Sequence, residues 1–174
     1  PRVIGGLSRE GVDSAIRFYT TFIEAEFTPV SSIRAAEAAK IVENSFRDIN
    51  IAFVNELARS FDSMGINLVE VIRAASTKPY GFMPHYPGAG VGGHCIPVDP
   101  YYLIRRAARS GFRHHFMELA REINDSMPLY VVERLQEGLN EVGLPLKGTR
   151  ICILGLAYKG GVDDTRNSPA TRID

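Results

Sequence analysis

Between Ser31 and Gly65 runs a helical pattern that no proline or glycine interrupts. Its apolar positions include Ile33, Ala36, Val42, Phe46, Ile49, Phe53, Leu57 and Phe61, recurring at the spacing of one or more helix faces. Ser31 or Ser32 is placed to cap it, and Met64 closes it. About 33 residues rising 1.5 Å each give a rod roughly 50 Å long. That is well beyond the usual globular helix, so one small core cannot cover it. Both faces are expected to find partners, another protomer among the candidates. Everything else in the chain has to be arranged around this rod.

Arg2-Val3-Ile4-Gly5-Gly6 reads as a short strand ending in glycines, and 11–24 carries the helical spacing of Ile16, Tyr19 and Ile23. Gly65 stops the long helix and Asn67 caps another, reaching about Thr77. From Lys78 to Pro100 prolines and glycines dominate, yet Tyr80, Phe82, Tyr86, Val91 and Ile96 make the stretch too apolar for a linker. It is expected to be an ordered functional loop. Asp99 followed by Pro100 signals a cap and first turn of a helix to about Ser110. Further helices are expected over 112–126 and 128–142, then a turn-rich joint over 143–148 and a buried strand over 150–158.

The chain has 174 residues, enough for one domain and part of another. Its 20 basic and 20 acidic side chains balance, which removes the electrostatic footprint of a nucleic-acid or anionic-membrane binder. No apolar run approaches the roughly 20 residues of a membrane span. No signal peptide opens the sequence; it starts as if continuing an earlier domain. Two cysteines are too few for a disulfide framework and point to a reducing, cytoplasmic setting.

Gly88-Ala89-Gly90-Val91-Gly92-Gly93 spells the dinucleotide pattern G-x-G-x-x-G in the wrong context, since no strand precedes it and no helix opens directly after it. These glycines either bend a loop or let backbone amides approach a ligand that side chains would keep away. Cys152, inside Ile151-Cys152-Ile153-Leu154, suits a buried structural role. Cys95 differs. It follows the glycines and precedes a predicted helix N-terminus, whose free amides attract negative charge, so a nucleophilic role stands beside the structural one. Asp99 is either a helix cap or a carboxylate that orients water near the sulfur. Lys40 and Asn44, four apart, share one helix face with Ala36 and Ala39 nearby. A lysine among small apolar residues is open to partial burial, which would make it a usable acid, base or charge stabiliser. His85, His94, His114 and His115 lack the spacing of a zinc site, and no metal is expected. Lys159 and Arg166 follow the last strand pattern and either meet phosphate or sit solvated beside Asp163 and Asp164.

From Gly90 through Gly92-Gly93-His94-Cys95-Ile96-Pro97-Val98-Asp99-Pro100 to Leu103, the sequence resembles the nucleotide-sugar dehydrogenases, the UDP-glucose/GDP-mannose 6-dehydrogenase family. Supporting stretches are 37–44 with Lys40 and Asn44, Ile123-Asn124-Asp125-Ser126-Met127-Pro128, Gly155-Leu156-Ala157-Tyr158-Lys159 and Asp164-Thr165-Arg166. The resemblance implies oxidation of a sugar C6 alcohol to a carboxylate with NAD. Cys95 would be the nucleophile, forming a thiohemiacetal and then a thioester. Lys40 and Asn44 would stabilise oxyanions or move protons, and Asp99 would assist Lys40 and a water. Tyr86, Gly88, Gly90 and Gly92 match the cradle for sugar and pyrophosphate. Tyr158 and Lys159 match contacts to the nucleotide, and Cys95 and Arg166 face the cofactor. The family's arginine upstream of the glycine loop has no counterpart in Lys78-Pro79-Tyr80-Gly81-Phe82. That stretch, with His85-Tyr86-Pro87-Gly88, looks more like UDP-N-acetylhexosamine 6-dehydrogenases.

The implied fold is mainly α. The end of an NAD-binding domain (1–8) precedes an all-helical dimerisation and catalytic domain (9–145) built on the long helix, which forms the homodimer. The first strand of a truncated Rossmann-like α/β UDP-binding domain follows (146–174). The expected substrate is UDP-N-acetylglucosamine, with UDP-glucose or UDP-N-acetylmannosamine as alternatives. A different class of answer is a dimerisation and substrate-binding fragment without catalysis of its own.

Overall fold

A computed structural model describes residues 1–173. The chain divides into two compact units, Pro1–Asn44 and Ser45–Asp174. In the first, strands β1 (Arg2–Gly5) and β2 (Phe27–Val30) pair in parallel, Arg2 opposite Phe27 and Gly5 opposite Val30, with helix α1 (Arg9–Thr20) between them in sequence. Ser8 caps α1 by accepting from the Gly11 N–H at 3.1 Å. Strand β2 was not expected, because Pro29 masks it. Proline is tolerated there since the sheet has only two strands and each offers a free edge. Gly5 permits a backbone crossing: a Cβ there would lie 2.2 Å from the Ser32 carbonyl oxygen.

The long helix forms as expected. Helix α2 covers Ile33–Ser63, with the Ser32 hydroxyl accepting from the Ala35 N–H at 3.1 Å. Gly65, at φ +68°, ends it, and the Ile66 N–H reaches back to the Phe61 carbonyl at 2.9 Å. Asn67 then caps α3 (Leu68–Ala75) through bonds from the Val69 and Glu70 N–H groups. Val54, Leu68 and Ile72 form the apolar cluster that joins α3 to α2, with Leu57, Ala58 and Phe61 against it.

Helix α4 (Asp99–Ala108) and helix α5 (His115–Glu141) complete the second unit with a short 3-10 turn at Pro169–Arg172. Partners along α2 and α5 rise in step: Asp48 with Arg121, Asn55 with Asn124, Arg59 with Ser126, Asp62 with Tyr130 and Arg134. The two helices therefore run side by side in the same direction.

Four expectations need correction. Asp99 is the first residue of α4 rather than its cap; Val98 holds the cap position with no side-chain bond. The two helices expected over 112–126 and 128–142 are one, and Pro128 lies inside it. A proline costs a helix the bond to the carbonyl four residues back, here that of Asn124, and burial of this turn holds the helix together across the loss. Residues 150–158 form no strand. Ile151, Ile153 and Leu154 are exposed, Leu154 by 91%, and Cys152 among them is exposed too rather than the buried structural cysteine expected, because among the described residues no neighbouring strand supplies a ladder for them.

Candidate active site

The glycine-rich loop is held from two sides within the second unit. On one side the Gly88 N–H donates to Asn55 Oδ1 at 2.9 Å, and Gly90, at φ +125°, lies so close to α5 that a Cβ would come within 3.0 Å of the Asn124 carbonyl oxygen. On the other side the Gly93 N–H donates to the Arg166 carbonyl at 2.9 Å, and Asn167 Nδ2 donates to the Gly93 carbonyl at 3.0 Å. A Cβ at Gly92 would sit 2.6 Å from the Tyr158 Cβ. Gly93 packs against the Tyr158 ring at φ +92°. Gly90, Gly92 and Gly93 accept only glycine because backbone or ring occupies the space of a side chain. The loop forms one wall of a cleft of about 450 Å³ whose other walls include Asn124, Asp125, Asn167 and Arg172.

Cys95 follows directly. Its half-buried Sγ lies 2.9 Å from His94 Nδ1, and its carbonyl accepts from the Val98 and Asp99 N–H groups at 3.0 and 2.8 Å. The sulfur-bearing turn is thereby tied to the first turn of α4, and Asp99 is half-buried there. Tyr158 is anchored by its N–H on the Asp164 carbonyl at 3.0 Å. The Arg166 side chain and backbone N–H both bond the Asp164 carboxylate, which holds that carboxyl at about 2, with His94 adding a smaller pull. Asp164 in turn raises the Arg166 guanidinium, to which Tyr158 and Cys95 also contribute. The Arg166–Asp164 ion pair thus lies beside the loop, with His94, Tyr158 and Cys95 close to it. Lys159 and Tyr86 are exposed.

Behind the loop lies a buried polar seam. Arg121 Nη1 donates to Asp48 Oδ1 at 2.6 Å, and Arg121 Nη2 to Asp125 at 2.6 Å, with Asp48 and Arg121 almost wholly buried. Asn124 Nδ2 donates to Asp48, and Asn55 Nδ2 to Asn124 Oδ1, each at 2.9 Å. Burial pushes the Asp48 carboxyl up, more than Arg121 draws it down. Burial lowers the Arg121 guanidinium, but Asp48 and Asp125 outweigh that and raise it.

Lys40 and Asn44 belong to the first unit. Asn44 is fully buried. Lys40 is not the partly buried lysine expected: its side chain is 59% exposed and pairs with Glu43 at 2.8 Å. Ala36 and Ala39 are too small to cover it, and it lines an open cleft together with them. Among the described residues no group of three His, Cys, Asp or Glu side chains gathers as a metal would need.

Sequence reasoning missed Asp48, Asn55, Arg121 and Asn167, and weighed His94 only as a metal ligand. The available signal was a polar stripe, Asn44, Asp48 and Asn55, at helical spacing on α2. Such a stripe ordinarily marks the solvated face.

Comparison with known proteins matches residues 34–126 to the central domain of the UDP-glucose/GDP-mannose dehydrogenase family. The chain belongs to that family. A UDP-N-acetyl-D-mannosamine dehydrogenase of Pyrococcus horikoshii is 41% identical over 172 residues, covering 99% of this chain and 40% of the relative. A UDP-N-acetyl-D-glucosamine 6-dehydrogenase of Pseudomonas aeruginosa gives the same identity and the same shares. A solved UDP-D-ManNAc dehydrogenase structure from Pyrococcus horikoshii superposes with a TM-score of 0.89 at 40% identity, covering 98% of this chain and 40% of that one. The chain spans about 40% of the length of the curated dehydrogenases it matches. No helix among the described residues is long and apolar enough to cross a membrane.

Proposed function

We propose that this chain is the central part of a cytoplasmic, NAD-dependent 6-dehydrogenase that oxidises the C6 alcohol of a UDP-N-acetylhexosamine to the carboxylate. The observation that carries this is Cys95: a free thiol on a loop gripped from both sides, next to His94 and the charged Asp164–Arg166 pair. UDP-N-acetylglucosamine is the substrate read from the sequence, with UDP-N-acetylmannosamine as the alternative; relatives named for each epimer are equally similar to the chain.

The residues present fit one edge of a dinucleotide. Arg166 is 65% exposed and presents a cation beside Cys95, suited to a pyrophosphate. Gly88 to Gly93 do not make the dinucleotide fingerprint, because no strand runs into them and α4 begins only at Asp99. NAD held there would supply the hydride acceptor for each of the two oxidations at C6. Cys95 adds through sulfur to the aldehyde carbon and holds it as a thiohemiacetal. After the second oxidation Cys95 carries a thioester, and water frees the carboxylate and returns the thiol. Lys40 and Asn44 donate to the oxygen that gains charge, and Asp99 positions the water. Tyr86, Gly88, Gly90 and Gly92 carry the sugar and pyrophosphate; Tyr158 and Lys159 meet the nucleotide. In the intact enzyme the domains divide near 8 and 145.

The enzyme works as a homodimer through α2. Val42, Phe46 and Phe53 are exposed, and with the half-buried Ile49 their spacing of four, three and four residues traces a coiled-coil seam. A strictly monomeric species in sedimentation at micromolar concentration contradicts the dimer.

The deciding experiment counts NADH formed per sugar consumed by the full-length protein on UDP-N-acetylglucosamine, UDP-N-acetylmannosamine and UDP-glucose. About two NADH per sugar on one of them supports the double oxidation and names the sugar. A yield near one overturns the Cys95 route, and none with any overturns the UDP-sugar reading.

A further inference from the structure

We infer that Asn55 is a positioning residue for the Cys95 loop, gripping the Gly88 N–H at the end of a buried amide relay. The inference rests on Cys95 being the reactive group of the proposed dehydrogenase. Asn55 is fully buried, and both ends of its amide are used: Oδ1 accepts from Gly88 and Nδ2 donates to Asn124 Oδ1, each at 2.9 Å. Asn124 passes its own N–H to Asp48 Oδ1 at 2.9 Å, and Arg121 donates to the same oxygen at 2.6 Å. All the N–H groups in this relay point toward Asp48, from Gly88 inward. The carboxylate polarises each bond, and around the buried Asn55, Asn124 and Asp48 side chains, where the dielectric is low, such chains reinforce one another.

The relay ends on the loop and not merely in the core. Asn124 holds the loop a second time, because Pro128 has no N–H to give the Asn124 carbonyl and Gly90 lies against that same oxygen. Asn124 thus supports Gly88 through Asn55 and backs Gly90 with its own carbonyl, a few residues before the sulfur. The Gly88 N–H is committed to Asn55 and the Gly93 N–H to Arg166. Of the loop's glycine amides, those of Gly90 and Gly92 are left for a ligand among the described residues. Gly88 therefore serves the cradle by holding its shape.

The test uses the full-length protein with Asn55→Leu, which keeps the branched heavy-atom outline and removes both bonds, and Asn55→Asp, which keeps the acceptor for Gly88. The readouts are hydrogen exchange at the Gly88 amide, iodoacetamide labelling of Cys95 against exposed Cys152 in the same chain, and steady-state kinetics. In Asn55→Leu, Gly88 exchange rises about tenfold or more, as loss of this half-buried bond requires, while the Val54–Leu68–Ile72 cluster keeps its protection. The Cys95 to Cys152 labelling ratio changes at least about threefold, and KM for the sugar rises more than kcat falls. Asn55→Asp restores Gly88 protection. A folded Asn55→Leu protein with unchanged Gly88 exchange and labelling ratio overturns the inference. If that variant does not fold, Asn55→Ala, which admits water to the vacated partners, is held to the same expectations. Exchange and labelling need no substrate, so an unchanged loop with sugar oxidation intact sinks this inference alone. Missing NADH with Gly88 still guarded by Asn55 sinks only the function.

Discussion

The two faces of α2 are inverted relative to an ordinary amphipathic helix. One face carries Asn44, Asp48 and Asn55, none more than 1% exposed; the other carries Val42, Phe46 and Phe53, each about half exposed. Polar groups inside are costly without partners; Asn124, Arg121 and Gly88 supply most of them here, while among the described residues Asp48 Oδ2 and Arg121 Nε are left without one. What the helix gains is direction. Hydrogen bonds fix a loop and a neighbouring helix in one register, which apolar contact alone does not. The outward apolar face has a different task, since a stripe of aromatic and aliphatic side chains left in water invites a partner surface.

The inner face breaks first. Asp48→Ala leaves the Arg121 guanidinium buried without its main partner, and about 3–5 kcal/mol of stability should disappear in a denaturant titration. If the loss stays below about 1 kcal/mol, the seam is not what orders this face. Next comes the far side of the loop. Gly92→Ala drives a Cβ into Tyr158 and the Asn167 carbonyl and should cost about 1–3 kcal/mol, whereas Gly88→Ala, with open space around it, stays within about 0.5 kcal/mol. Thermal melts of the pair separate close approach from a general need for glycine.

The outer face tests the contrast with a smaller effect on folding. Phe46→Glu combined with Phe53→Glu should leave the unfolding free energy of the isolated chain within about 0.5 kcal/mol. The same variant should sediment as a monomer at micromolar concentration; if it still dimerises, the seam lies elsewhere. The smallest effect is the clasp at Asp164. Its carboxyl is depressed from 3.8 to about 2, so its contribution is complete above the unfolded value and is lost as pH falls through about 2. Carboxyl NMR of the folded protein should show Asp164 still ionised at pH 3. In Arg166→Ala the group should return toward 3.8.

Where one residue decides locally, the sequence was readable. Gly65 and Asn67 mark the break between α2 and α3, and uninterrupted periodicity marks α2 itself. Elements decided at long range escaped. Pro29 argues against a strand until β1 lies beside it, and Pro128 argues for a helix end until α5 packs around it. The run over 150–158 has strand composition without a ladder partner, so composition alone did not make it one. At the site, the glycines and Cys95 stood out through their spacing. Asn55 and Asn124, 69 positions apart, became legible only when the fold joined them. Lys40 failed for the opposite reason: its small neighbours suggested cover that they are too small to give.

The grip on Gly93 has a consequence in time. Asn167, which holds the Gly93 carbonyl, comes 74 residues later in the chain. Ribosomes add roughly 5–20 residues per second, so on the order of ten seconds separate the two during synthesis. Once Glu141 completes α5, it and α2 have what they need to pair, but until Asn167 follows the loop that carries Cys95 is held on one side only. The Cys95 thiol is therefore made well before Arg166 and Asn167, the two residues that hold the far side of its loop.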